Sequence, residues 1–316
     1  MLHARDLAAA TPAAPRSPCA TARAVEWPTL CLIAACYAVW AGATVGADAL
    51  GLGLAIPLTA LTLTLHSSLT HEVIHGHPFR DQRLSDLLVF PALGLFVPLE
   101  RFRDIHLAHH HDPSLTDPYD DPESNYLDPS VWARLSRPAR ALLRANNTLL
   151  GRVTLGPAIG LAVFWRDDLR AALAGDRRVR RAWALHALGL APVALWLATV
   201  ATLPLWAYLA AAYFGFGVLK IRTFLEHQAH ETAAGRSVII EDRGPLALLF
   251  LNNNLHAVHH AHPRTPWYEL PRTYARRRAL YLARNRGYRY RSYWAVVRAH
   301  WLRAKDPVPH PLWPEG

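Results

Sequence analysis

Sulfur is scarce in this sequence, which has three cysteines and one methionine in 316 residues. Cys19, Cys31 and Cys36 are odd in number, and two of them lie in an apolar run. That excludes a disulfide framework and a thiolate metal site. Acidic side chains are also few: 24 Asp and Glu face 34 Lys and Arg, for a formal net charge of +10. There is no Gly-rich dinucleotide motif, haem-binding motif, internal repeat or Gly/Ser linker. The most informative absence is one of charge along the chain. Residues 27–47, 49–70 and 182–219 contain no Asp, Glu, Lys or Arg. About 20 apolar residues suffice to span a bilayer as a helix. Each of the first two stretches therefore has room for one span, and the third for two joined by a turn near Pro204. A basic chain suits nucleic acid or an anionic membrane surface. Here the Arg-rich segments flank apolar runs and no nucleic-acid module is present, which excludes the first.

The expected architecture is an all-α polytopic membrane protein with spans at 27–47, 50–70, 183–202 and 205–222. The connections 47–49 and 202–204 carry no Lys or Arg, so all 34 basic residues fall on one side. The positive-inside rule makes that side cytoplasmic. Residues 87–99 are uncharged but short and broken by Pro91 and Pro98, so a re-entrant or interfacial segment is expected there. Residues 149–165 are apolar enough to lie on the membrane surface. The polar, Arg-rich remainder forms a cytosolic helical cap, with the basic run 276–278 against anionic headgroups. Residues 1–26, rich in Ala and Pro, form a flexible cytosolic leader, and 27–316 a single membrane-embedded domain.

Histidine is abundant, and 14 of the 18 fall in the windows 66–111 and 227–262. They are grouped as His71 and His75, then His106, His109 and His110, then His227, then His256, His259 and His260. Offsets of three and four put side chains on one helix face. The second expected span ends at His71 and the fourth just before His227. Every group thus falls at one membrane face, provided that 87–99 does not cross. Nine imidazoles exceed the capacity of one ion, and imidazole suits Fe, Cu, Zn and Ni. Two ions are implied, and a dinuclear iron site fits best. His230 is the alternative to His227, and His77 is a further ligand candidate. His66 and His111 lie off the box faces, His262 suits a helix end, and His3, His186, His300 and His310 are isolated. Glu72, Asp104, Glu226, Glu231, Asn252, Asn253 and Asn254 adjoin the boxes and could orient the imidazoles from behind.

HEVIH, HLAHH, FLEHQ and HAVHH resemble the three histidine boxes and the extra histidine of the membrane fatty acid desaturase and hydroxylase superfamily. The likeness in order and spacing covers roughly residues 30–300. The stretch 223–227 (TFLEH) is similar to the Thr-Phe-Leu-Gln-His segment of acyl desaturases and to the Glu-His element of membrane alkane hydroxylases, which supports His227. HEVIHGHP and NNNLHAVHH resemble bacterial desaturase-like proteins, including a rhizobitoxine-type amino-acid desaturase, and imply a bacterial inner membrane. The resemblance implies an O2-dependent di-iron oxidoreductase that desaturates a fatty acyl, lipid or smaller amphiphilic chain. Hydroxylase and ketolase activity belong to the same superfamily. It also implies electrons from a ferredoxin or a cytochrome b5-like donor. From another class, HEVIH matches the HExxH signature of zinc metalloproteases, a reading that leaves at least six grouped histidines unexplained. A ferritin-like di-iron bundle lacks its second Glu-x-x-His, and a transporter would place ionisable groups at mid-membrane.

Overall fold

The computed structural model describes residues 25–110 and 112–313. Residues 1–24 of the expected leader, with His3 and Cys19, lie outside the described residues, as does His111. The described chain is mostly helical, and its two short strands, Ile239–Ile240 and Arg289–Tyr290, pair in parallel. The helices that position the site are α1 (Trp27–Val45), α2 (Leu52–Ile74), α3 (Gln82–Val89) and α4 (Leu99–His109). They are followed by α5 (Leu149–Thr154), α6 (Gly156–Leu173), α7 (Arg177–Thr199), α8 (Leu205–Thr223) and α9 (His256–Ala261).

Three of them, α1, α2 and α7, are long and apolar enough to cross a membrane. Helix α8 follows the bounds expected for a fourth span, but Lys220 and Arg222 in its last turn leave it outside that set. Helix α7 starts five residues ahead of the uncharged run. Asp176 caps it there, accepting the N–H groups of Arg178 at 2.8 Å and Val179 at 3.1 Å, so the Arg-rich turn becomes helical. Helix α2 runs past residue 70 and carries His71 in its last turn, with His75 as its C-cap.

Helix α2 packs between α1 and α8. The approach to α8 depends on Gly215: a Cβ there would fall 2.6 Å from the Ala60 carbonyl oxygen. In the space so gained, the Thr64 hydroxyl donates to the Gly215 carbonyl at 2.9 Å. Trp40 Nε1 donates to the Tyr208 hydroxyl at 3.0 Å, and that hydroxyl donates to the Leu93 carbonyl at 2.8 Å. One buried phenol thereby links α1 and α8 to the irregular segment 90–98.

That segment is too short and too irregular to be a crossing helix. Several of its backbone polar groups are paired with neighbouring elements, which is how irregular backbone survives in apolar surroundings. Ala92 N–H donates to Gly189 O at 3.0 Å, His186 Nε2 to Leu95 O at 2.8 Å, and Trp165 Nε1 to Phe96 O at 3.0 Å. Residues 149–165, expected as one surface stretch, divide into α5 and the start of α6. Towards the C-terminus, Ile239, Leu255, Val258, Leu270, Tyr274 and Tyr281 form a small core. Val258 is fully buried in it, which turns the histidine face of α9 the other way.

Candidate metal centre

Four chain segments bring the nine box histidines together: the end of α2, helix α4, the turn after α8 and helix α9. They form two adjacent groups that could each hold a metal ion. His71, His75, His106 and His259 make the first, all buried; His109, His227, His256 and His260 make the second, half of them buried. Within each group one nitrogen from every ring lies within 4.8 Å of the others. His110 belongs to neither four-membered group and lies beside both. Its Nε2 lies 3.0 Å from His106 Nε2 and 3.2 Å from His259 Nε2, and its ring stacks on that of His260 at 4.3 Å. The two groups share helices: α4 sends His106 to the first and His109 to the second, while α9 sends His259 to the first and His256 and His260 to the second.

The hydrogen bonds behind these rings fix which nitrogen faces inward. A carboxylate only accepts, so His106 Nδ1 donates to Glu123 at 3.0 Å and His109 Nδ1 to Asp121 at 2.7 Å. His256 Nδ1 meets Asn253 Oδ1 at 3.1 Å, and His227 Nδ1 meets the Ser237 hydroxyl at 3.2 Å. In the neutral tautomer with Nδ1–H turned outward each Nε2 carries a lone pair, and His227 Nε2 lies 2.8 Å from His109 Nε2 and 3.0 Å from His256 Nε2. Lone pairs converging at that distance repel one another unless a proton or a metal ion lies between them. His71 Nε2 is buried with no hydrogen-bond partner. This donor set, all imidazole with outer hydrogen bonds fixing the tautomers, fits bound transition-metal ions.

Burial, reinforced by neighbouring imidazoles, holds His227, His256 and His259 well below the ordinary histidine range, so they are neutral as ligands must be. At His109 burial works in the same direction, but Glu123 and Asp121 outweigh it and lift the ring to about 9. Burial also opposes the Glu123 charge, and the His109 and His106 rings overcome it, keeping that carboxyl below the usual carboxylate range.

Several sequence candidates sit elsewhere. His230 lies outside both groups, its Nδ1 accepting the Thr232 N–H at 3.1 Å. His77 pairs with Glu26 at 2.8 Å. Glu72 accepts the Trp267 N–H at 3.1 Å and stands 4.0 Å from His71 Nδ1. Asp104 pairs with Arg178 and Arg101, away from the imidazoles, and Glu231 is exposed. Glu226 pairs with Arg222 at 2.9 Å and accepts from Asn253 Nδ2 at 3.3 Å, and so stands one residue behind His256. Asn252 and Asn254 donate instead to the carbonyls of Trp267 and Ile240. The sequence reading missed Asp121, Glu123 and Ser237. The acidic stretch 112–123 reads as a surface loop over the site because it is polar and Pro-rich, but nothing in its spacing aims two carboxylates at α4.

A mostly apolar cavity of about 270 Å³ lies between α2, α7, α8 and the segment 90–98, with Leu63, Leu95, Phe96, Ala212 and Phe216 among its walls. It reaches Thr70, the residue before His71, and Phe102, whose ring is 5.7 Å from that of His106.

The model of the family described as "Fatty acid desaturase" matches residues 47–294, a span that contains all nine box histidines. The chain belongs to the fatty acid desaturase family. As a member of that family it is an oxidoreductase enzyme of the desaturase and hydroxylase type, and its long apolar helices fit a membrane protein. No curated protein sequence matches the chain.

Proposed function

We propose that this enzyme is a multi-pass membrane di-iron oxidoreductase that desaturates an aliphatic chain, using O2 and electrons from a separate carrier. The observation that carries the reading is the adjacency of two imidazole groups to a mostly apolar cavity that ends one residue from His71. His71, His75, His106, His110 and His259 would hold one iron, and His109, His227, His256 and His260 the other. When bound, the pair supplies the oxidising power that breaks an unactivated C–H bond.

The chain's own residues do the rest. Glu123, Asp121, Asn253 and Ser237 hold the imidazoles in the tautomer that points Nε2 inward. The cavity walls take the substrate chain out of water and present one stretch of it to the histidines. Residues 27–316 act as one membrane-embedded domain with α8 as a fourth span. The segment 90–98 stays on the histidine side, and the basic cytosolic face receives an acidic donor of the ferredoxin or cytochrome b5 type.

Hydroxylation needs the same ligands, so the product distinguishes it. Profiles of lipids and small metabolites from cells with and without the protein should differ by species two hydrogens apart. A difference of one oxygen would assign a hydroxylase. In the zinc-protease reading Glu72 would act as the base, yet its Oε2 accepts the Trp267 N–H. One tightly held zinc and no iron would overturn the proposal in its favour.

A further inference from the structure

Residues 301–313 have no regular secondary structure, yet they tie two parts of the metal centre together. On one side they grip the loop 116–127. Leu127 N–H donates to Val308 O at 3.0 Å and His310 N–H to Leu127 O at 2.8 Å. Thr116 Oγ1 lies 3.3 Å from His310 Nε2, and the Tyr126 and His310 rings meet edge-on at 5.0 Å. That loop carries Asp121 and Glu123, which accept from His109 and His106.

On the other side the same strap reaches the segment after α8. Lys305 Nζ donates to the backbone carbonyl of His227. Tyr126 donates its hydroxyl proton to Asp306 Oδ2 and accepts the Ala229 N–H at 2.9 Å. Lys305 and Asp306 pair at 3.1 Å, with the lysine side chain only 11% exposed. An ammonium is costly to withdraw from water. Here it is withdrawn, matched by a carboxylate, and aimed at the carbonyl of a metal-site histidine.

We propose that Lys305 and Asp306 are positioning residues for the second histidine group, and that the strap 301–313 is a clasp setting His227 against His109. The inference rests on reading these histidines as iron ligands. His109 is held through the Asp121 loop and His227 through Lys305, so both sides of their 2.8 Å approach lead back to the strap. His71 and His75 are held by α2 within the helix bundle. The clasp therefore acts on the second position from both sides, through His109 and His227, and on the first only through Glu123 behind His106.

The test uses full-length Lys305→Met, Lys305→Arg and Asp306→Asn proteins in detergent, read by iron per chain and by amide exchange in the metal-stripped state. Lys305→Met should keep helix content and thermal midpoint, exchange faster at 226–230, and retain about one iron where the parent holds about two, with affinity for the other weakened ~10–100-fold. Lys305→Arg should restore much of the second iron. Asp306→Asn, which keeps the lysine, should show the same changes more weakly and serves if the methionine variant does not fold. Parent-like exchange with two irons in both Lys305→Met and Asp306→Asn would overturn the proposal, as would equal loss from both positions without rescue by arginine. A parent protein that binds no iron would sink the di-iron reading and leave the exchange measurement to decide whether the clasp exists.

Discussion

His109 and His227 approach with their Nε2 atoms 2.8 Å apart, while each ring turns its Nδ1 to a separate partner, Asp121 and Ser237. Against the effect of burial, Glu123 and Asp121 raise the His109 ring to about 9, so a proton bridges the two Nε2 atoms when no metal is bound, and a metal ion would take that proton's place. The partners behind the rings make it so. Replacing Asp121 by Asn keeps the shape but removes the charge behind His109. It should weaken metal binding by ~10–100-fold, read by competition with a chelator. Unchanged affinity would show that loop 116–127 is only a cover.

His227 and His230 stand three positions apart in the chain and differ in their surroundings. His227→Ala should lower iron content and abolish turnover. His230→Ala should leave iron bound, because its ring bonds to Thr232 and joins neither group. The opposite ranking of iron contents would reassign the position.

The α2–α8 contact should be intolerant of side chains at Gly215. A Cβ there meets the Ala60 carbonyl oxygen at 2.6 Å, and backbone cannot swing aside as a flexible side chain can. Gly215→Val should therefore destabilise the protein by about 1–3 kcal/mol and disturb the Thr64 hydrogen bond, seen as a lower thermal midpoint. A midpoint equal to the parent's would mean that α8 is free to move outward.

Glu241 provides a pH test remote from the histidines. Hydrogen bonds from Arg278 and Tyr274, with Arg289 close by, hold its carboxyl down to about 2 against an ordinary 4.5. A depressed carboxylate contributes stability above its unfolded value, and this contribution is lost as pH falls from 4.5 toward 2. The pair is partly exposed, so the effect should be about 1 kcal/mol or less. Glu241→Gln should remove that part of the acid dependence. A parallel acid profile in the variant would show that the arginines contribute nothing there.

Topology can be checked with single cysteines introduced at Ala47 and Ser114 after Cys19, Cys31 and Cys36 are replaced. They should label from opposite sides of the membrane. Labelling of both from one side would move residues 87–99 across the bilayer and separate the HEVIH box from the rest.

The apolar helices and the clustering of the box histidines were legible because their signals are local. A bilayer sets helix length by composition, and three- and four-residue offsets set which imidazoles share a face. Helix ends followed less well: the start of α7 is decided by the Asp176 cap, which extends the helix through arginines that hydropathy alone leaves outside. The outer partners were legible where they adjoin a box, as Asn253 does. They were hidden where the loop folds back, since Asp121 and Glu123 reach α4 only after a turn that carries no periodic signal. The division of the boxes between two groups was equally unreadable, because it depends on how α4 and α9 are placed in the fold.

That division limits how the enzyme can be altered. His106 and His109 stand on one rigid turn, as do His256 and His259, and each of these turns serves both groups. A change that shifts α4 or α9 cannot move one histidine group and spare the other. Redesign of selectivity therefore has its freest ground in the cavity walls and in the loops that approach one group alone.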